Sequence, residues 1–168
     1  ASWGNYAFSQ ALFDIIAMTQ SEGILFVAGA GNDSENNDVT PFYPASHDLD
    51  NIISVASFDK YDTLANHSNY GQNSVDIAAP GREIYMAGSG DDAGVTGGAN
   101  VPPDEDYDYA DGTSFAAPHV TGVAVLLKAL YPDSKAGELK EMILSSAVSG
   151  PAYEGKVQTG GRLNAGAA

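Results

Sequence analysis

The hydrophobic positions along the chain predict helices that alternate with short buried strands. The first helix begins after Ser9, a residue type preferred at helix N-caps, and ends at Gly23. The next segment, Ile24 to Ala28, is uniformly apolar, as in a parallel strand that is covered on both faces. A helix followed by such a strand is typical of α/β proteins. The face of this first helix that we expect to be buried consists of Leu12, Ile15, Ile16 and Thr19.

The rest of the chain repeats this alternation. Strands are predicted over residues 51–59 and over Val75 to Ala78, and a helix is predicted to end at Tyr131, before Pro132. A last helix begins near Ser134. Residues 87–111 are rich in glycine, proline and acids and are predicted to form a loop. The apolar positions that recur at helical spacing in the two helices are Val123, Leu126, Leu127 and Leu130, followed by Leu139, Met142, Ile143 and Ala147.

Composition restricts the class of protein. A chain of 168 residues is expected to form one domain with a sizeable core. Its 22 acidic and 7 basic side chains give a formal charge of −15, which argues against nucleic acids and anionic membranes as partners. No cysteine is present, so disulfides and thiol chemistry are excluded. No apolar run reaches the length of a membrane span, no signal peptide is recognised, and we expect a soluble, secreted protein.

The chemistry of the chain is concentrated at residues 111–122, DGTSFAAPHVTG. Ser114 lies at the start of a predicted helix, where unpaired N–H groups favour developing negative charge. Two interpretations are open from the turn alone. Ser114 is either a helix N-cap, the commoner role, or a nucleophile on a tight turn where Gly112 lets another backbone come close.

The string Gly-Thr-Ser-x-Ala-x-Pro-His-Val-x-Gly resembles the nucleophile motif of the subtilisin-like serine proteases, and residues 112–122 match every fixed position. The resemblance implies that Ser114 is the nucleophile and that Thr113 supports the oxyanion site. VAGAGN, which ends at Asn32, is similar to the subtilase stretch whose last residue donates a hydrogen bond to the oxyanion. The backbone N–H of Ser114 would be the second donor. From composition alone, Asn32 could equally be a turn residue.

The same resemblance implies a substrate cleft. Ser2, Trp3 and Gly4 on one side, and Gly29, Ala30 and Gly31 on the other, correspond to the two backbone segments that a substrate joins as an extra strand. Phe42 corresponds to a position near the floor of the main specificity pocket. We therefore expect Phe42 to disfavour large aromatic side chains in a peptide or protein substrate.

Two stretches are candidates for cation binding, although the expected chemistry requires no cofactor. Asp76, in the subtilase-like string VDIAAPG, and the carbonyl of Ala45 correspond to a weak cation site, but Ser74 stands where another carboxylate would help. Because hard cations want six or more oxygens, a structural role for Asp76 is the favoured alternative. The second stretch is an acidic run that either binds calcium or is simply solvated, and it comprises Asp104, Glu105, Asp106 and Asp108.

Two of the three members of a subtilase catalytic triad have no matching motif in this sequence. A serine nucleophile needs a base, normally a histidine oriented by a carboxylate. His119 follows Ser114 by five residues, which places it about 140° round the helix from that hydroxyl. His47 and His67 lie in polar loops, where we expect them to be exposed, and neither has the setting of the family's base. No aspartate has the setting of the orienting acid either.

All the matching segments correspond to the later part of a subtilase domain, because the chain order of the triad in these enzymes is Asp, His, Ser. We therefore interpret residues 1–168 as the C-terminal portion of one subtilase catalytic domain: part of a parallel α/β sheet with helices on both faces, without its N-terminal portion. Alone, such a chain should be inactive, and it should self-associate or pair with the missing half. A non-catalytic binding or scaffold module is the alternative. An α/β-hydrolase is disfavoured, because GTSFA does not complete Gly-x-Ser-x-Gly.

Overall fold

The computed structural model describes residues 1–87 and 107–168, which form an α/β fold. Five strands form a mixed, mostly parallel sheet in the order β1-β2-β3-β7-β6, in which only the β6–β7 pair is antiparallel. Strands β4 and β5 form a separate antiparallel hairpin. In chain order the elements are α1 (Gln10–Ser21), β1 (Phe26–Gly29), β2 (Ile52–Phe58), β3 (Ile77–Pro80), β4 (Ile84–Ala87), β5 (Tyr107–Ala110), α2 (Thr113–Leu130), α3 (Ala136–Ser145), β6 (Val148–Ser149) and β7 (Gly161–Arg162).

The predicted α/β class is confirmed, and two strands begin two residues later than predicted. The N–H of Ile24 still bonds to the carbonyl of Thr19 at the end of α1, so Ile24 belongs to the turn and not to the strand. Its side chain is 51% exposed. The N–H of Val75 likewise bonds back to Gly71 in a turn. The apolar runs therefore start in the turns that precede the strands. Ser9 caps α1 as predicted, with its hydroxyl accepting from the N–H of Leu12.

Helix α2 packs across one face of β1, β2 and β3. It contributes Val120, Val123 and Leu127 to a core that α3 extends with Leu139 and Ile143. The opposite face of the sheet carries a second, smaller core, formed by Ala30, Ala56, Val75, Ala78, Tyr153 and Val157. This packing fixes the start of α2 at the carboxyl end of β1.

The outer side of α2 carries large apolar residues. Leu126 and Leu130, which recur at helical spacing with Val123 and Leu127, are 62% and 72% exposed. The mean hydropathy of the helix is 1.3 over 18 residues, so apolar spacing alone does not identify its inward side. That length and hydropathy also satisfy the criterion for a membrane span, but here the helix lies on a sheet. On α1, Ile15 is 59% exposed, because no element within the described residues covers it.

The prediction of a loop over residues 87–111 is wrong at its end. Tyr107–Ala110 form β5, which pairs with β4 and leads directly into α2. The alternation of Tyr107 and Tyr109 was the available signal, because alternating aromatics favour a strand. Of the acidic run considered for calcium, Asp104, Glu105 and Asp106 lie outside the described residues, whereas Asp108 lies in β5.

Candidate active site

The start of α2 meets the segment that follows β1, and small residues make the approach possible. A Cβ placed on Gly29 would lie 2.9 Å from the Thr113 hydroxyl and 3.0 Å from the Thr113 carbonyl carbon, so only glycine fits there. Two residues further on, the N–H of Gly31 donates to the Thr113 hydroxyl at 3.2 Å. The glycines predicted from VAGAGN therefore bring the two segments into backbone contact.

Asn32 is held by its carbonyl end. Its Oδ1 accepts from the N–H of Thr113 at 2.8 Å and from the Thr113 hydroxyl at 3.1 Å. Because the oxygen is committed to Thr113, the Nδ2 amide is turned away from Thr113 as a donor. Thr113 is buried and its hydroxyl links Asn32 to Gly31. The Asn32 side chain is therefore held in one orientation by Thr113.

Two nitrogen donors lie beside Gly112. A Cβ placed on Gly112 would lie 3.6 Å from Asn32 Nδ2 and also 3.6 Å from the backbone nitrogen of Ser114. The φ of Gly112 is +150°, a conformation that side-chain-bearing residues rarely adopt. Both donors therefore border the same small volume, which a Cβ at this position would occupy. An oxygen that developed negative charge there could accept from both.

Ser114 is not the N-cap of α2. The N-cap of α2 is Gly112, with no side-chain cap hydrogen bond, and the helix begins at Thr113. Ser114 therefore lies inside the first turn, and its N–H is one of the four that a helix start leaves without an intrahelical partner. Its hydroxyl is partly exposed and donates to the carbonyl of Ser2 at 3.2 Å. The Ser2 hydroxyl returns a bond to the carbonyl of Ser114 at 2.8 Å.

The residues predicted to bind substrate lie around one cavity of about 210 Å³ beside Ser114, with one exception. Ala30 is fully buried, and both its backbone groups are used: its N–H bonds to Val55 and its carbonyl accepts from Asn37. The cavity is lined by Ser2, Trp3, Gly4, Gly29, Gly31, Asn32, Phe42, Thr113 and Ser114.

The ring of Phe42 closes one side of this cavity. A Cβ on Gly4 would lie 2.5 Å from its ring, and a Cβ on Gly31 would lie 3.2 Å from it. The ring thus fits between two glycines and fills volume that a large substrate side chain would need. Tyr6 packs edge-on against the same ring, with the ring centroids 5.1 Å apart, which fixes its position.

None of the three histidines is hydrogen-bonded to the Ser114 hydroxyl in this structure. His119 is exposed, and its Nδ1 lies 2.8 Å from the carbonyl of Phe115. The expectation that His47 and His67 are exposed is wrong. His67 is partly buried, and burial lowers its pKa, although Asp111 opposes the shift.

His47 is buried because three aromatic rings surround it. Phe8, Phe13 and Tyr43 lie with their ring centroids 4.8 to 5.6 Å from the imidazole. Its Nε2 is buried without a hydrogen-bond partner, and desolvation lowers its pKa. A polar loop sequence gives no warning of this, because the rings of Phe8 and Phe13 come from α1 and the segment before it.

The residues of the predicted cation site lie together around a second cavity of about 630 Å³, which both Ala45 and Asp76 line. The Asp76 side chain is only 13% exposed and lies 3.2 Å from the ammonium group of Lys140, a residue that sequence analysis did not single out. Burial raises the pKa of Asp76, while Lys140 and the N–H of Ser54 act in the opposite direction. Within residues 1–87 and 107–168, no cluster of three or more histidine, aspartate or glutamate side chains could hold a metal ion.

Comparison with known proteins identifies the class of protein that this arrangement defines. The model of the subtilase family, Peptidase_S8, matches residues 1–165. The chain therefore belongs to the subtilase family of serine proteases.

Individual relatives agree with this assignment. Subtilisin DY of Bacillus licheniformis is 31% identical over 88% of this chain, and fervidolysin of Fervidobacterium pennivorans is 32% identical over 87%. A protease structure from Pseudoalteromonas arctica superposes with a TM-score of 0.78 at 33% identity over 99% of this chain, and subtilase cytotoxin SubAB with 0.76 at 26% over 98%.

The alignments also show how much of each relative is matched. The chain spans 48% of subtilisin DY and 21% of fervidolysin, and 48% and 54% of the two structures. It thus covers about half or less of each.

Proposed function

We propose that this chain is the nucleophile-bearing part of a subtilisin-like serine endopeptidase. The observation that carries the proposal is the convergence of Asn32 Nδ2 and the Ser114 N–H on the space beside Gly112, next to a serine hydroxyl that caps no helix. A structural turn needs neither feature. Membership of the family supports the reaction class, and the residue assignments rest on this geometry.

In the proposed reaction, a base supplied by another part of the domain removes the proton of Ser114 Oγ. The oxygen attacks the scissile carbonyl, and the carbonyl oxygen, now negative, accepts hydrogen bonds from Asn32 Nδ2 and the Ser114 N–H. When the intermediate collapses, the C–N bond breaks, the base gives its proton to the leaving amine, and an acyl-enzyme remains on Ser114. The base then takes a proton from water, which attacks the ester; the bond from the acyl carbon to Ser114 Oγ breaks, the acyl group leaves as the carboxylic acid, and the base returns the proton to Oγ.

The proposed partner is the rest of the catalytic domain. Strand β1 is the outermost strand of the described sheet, and on its outer edge the N–H of Gly29 donates to the carbonyl of Ala1 at 3.1 Å, where a further strand would continue the ladder. On α2, Val125, Leu126 and Leu130 form an apolar side, and each of the three is more than 60% exposed. Both features are expected where a further strand and further helices pack, and the partial coverage of the relatives agrees with this.

The proposed substrate is a protein or peptide with a small side chain before the scissile bond. The cavity beside Ser114 is about 210 Å³, and the Phe42 ring occupies one side of it. A cavity of that size, walled by a fixed aromatic ring, accepts an alanine or valine side chain more readily than phenylalanine or tyrosine.

A fluorophosphonate probe, which phosphonylates activated serines, tests the proposal. We expect intact mass to show one adduct on Ser114 when the chain is mixed with the N-terminal portion of a subtilase domain from the same protein, and none on the chain alone. Ser114→Ala should abolish the adduct in the mixture, whereas Ser2→Ala should leave a labelled serine.

Absence of labelling in a mixture shown to be folded and associated would contradict the proposal and favour a non-catalytic module. Labelling of the chain alone would contradict the assignment of the base to another part of the domain, and would direct attention to His67.

A further inference from the structure

The cavity lined by Ala45 and Asp76 contains more negative than positive side chains. Four carboxylates (Asp38, Asp48, Asp50 and Asp76) and one ammonium group (Lys140) lie on its wall. Among them Asp76 is the one whose charge is strongly withdrawn from water, with 13% of its side chain exposed. A buried carboxylate needs a compensating positive charge or strong donors.

Each oxygen of Asp76 has one partner. Oδ2 accepts from the backbone N–H of Ser54 in β2 at 2.7 Å, and Oδ1 lies 3.2 Å from Lys140 Nζ. The same ammonium group donates to the backbone carbonyl of Ile52 in β2. Lys140 Nζ is therefore held between a buried carboxylate and a peptide carbonyl, which are the two oxygen types that hard cations prefer as ligands.

The neighbouring polar groups are already committed to one another. Both oxygens of Asp38 accept from the backbone and side chain of Asn73 and Ser74, including the Ser74 hydroxyl at 2.7 Å. Ser74, which stands where a further carboxylate would assist a metal, is thus turned to Asp38. Within the described residues, no group of three or more histidine, aspartate or glutamate side chains gathers around Asp76, whereas a metal such as calcium takes six or more oxygens.

We infer that the ammonium group of Lys140 is the resident cation of this site and takes the place of the metal ion that the family resemblance implies. The chain then needs no metal at Asp76. The Lys140 side chain ties α3 to β2 and to the residue that precedes β3. Removing the ammonium group should open a latent, weak site for a hard cation, because the buried carboxylate and the Ile52 carbonyl would remain as ligands and water would supply the other oxygens.

The test compares Lys140→Met with Lys140→Arg in the full-length protein. Methionine keeps an unbranched apolar stem of similar length without the charge, and arginine keeps the charge. After treatment with chelator in low-salt buffer, we expect Lys140→Met to lower Tm by on the order of 5 to 10 °C, and Lys140→Arg to lower it less. Titration with Ca²⁺ or K⁺ should then restore part of the Tm of Lys140→Met saturably. The wild-type Tm should show no rise that depends on Asp76.

The double variant Asp76→Asn/Lys140→Met is the matched control, because it removes the carboxylate as well. It should be more stable than Lys140→Met in chelator and should not respond to added cation, which separates binding at Asp76 from binding at other acidic residues. An unchanged Tm in Lys140→Met, or a cation response that the double variant retains, would overturn the inference.

If Lys140→Met does not fold, the comparison of wild type with Asp76→Asn decides. Identical cation titrations of these two proteins support Lys140 as the resident cation. A cation-dependent rise in the wild-type Tm that Asp76→Asn loses would show that a metal ion, and not Lys140, holds the site.

Discussion

Two sites on the same sheet, which we call the first and second corners, differ in whether their polar groups already have partners within the chain. At the end of β1, Asn32 and Ser114 direct two donors into the space beside Gly112. Beside β2 and β3, the carboxylate of Asp76 is already matched by Lys140. In the proposed function, the first corner receives developing charge from a substrate, whereas the carboxylate of the second corner already has a partner within the chain. Oriented donors directed into open space therefore indicate chemistry, whereas a closed ion pair indicates structure.

The largest expected effect comes from removing the donor of the first corner. In the complete enzyme, Asn32→Leu should lower kcat roughly 10²- to 10³-fold with little change in KM, which is the loss known for the corresponding oxyanion donor of subtilisin itself. Steady-state kinetics on a peptide substrate measure it. Asp76→Asn, at the second corner, should keep kcat within about twofold of wild type, because it contacts no reacting atom. Comparable losses of kcat in both variants would contradict a catalytic first corner and a structural second corner.

A second expected effect concerns which substrates reach the first corner. Phe42→Gly should enlarge the cavity beside Ser114 and raise kcat/KM for substrates with phenylalanine before the scissile bond, relative to alanine, by about 10- to 100-fold. Competition between two otherwise identical peptides measures the ratio directly. Tyr6→Phe keeps the edge-on ring and should leave the ratio unchanged. An unchanged ratio in Phe42→Gly would show that another wall sets the preference.

Sequence reasoning located the first corner because its determinants are local. Gly112, Thr113 and Ser114 are consecutive, and Asn32 closely follows a buried strand, so one motif at each strand end or helix start fixes the geometry. The α/β class followed for the same reason, from runs of apolar residues whose turns were misjudged by only two positions.

The second corner could not be predicted because its partners are distant in sequence. Lys140 lies 88 residues from Ile52, on a helix whose polar positions look like an ordinary solvated face. The burial of His47 has the same cause, since its aromatic neighbours Phe8 and Phe13 precede it by more than thirty residues. The inward side of α2 was undetermined because large apolar residues occur on its outer side as well as its inner side.

A smaller effect should come from the residue that orients the donor. Thr113→Val keeps the shape of the side chain but removes the hydroxyl that links Gly31 to Asn32. Because one hydrogen bond contributes about 1 kcal/mol, we expect kcat to fall about five- to tenfold, with the backbone bond from Thr113 still holding Asn32. Thr113→Ser retains the hydroxyl and should recover most of the activity. A fall in Tm without a fall in kcat would assign Thr113 a structural role only.

The smallest effect is on stability and concerns His47, which lines the cavity of the second corner. Burial among aromatic rings lowers its pKa, so the folded state favours the neutral imidazole. This stabilisation is fully present above the unfolded-state pKa of about 6.5 and is lost as pH falls through the lower folded-state pKa. Urea unfolding between pH 7 and pH 5 should therefore show a free energy of unfolding that decreases with acidification, by at most about 1.4 kcal/mol per pH unit for this one proton. His47→Phe, which keeps an aromatic ring in the cluster, should flatten that slope, and an equal slope in both proteins would place the titrating group elsewhere, for example at His67.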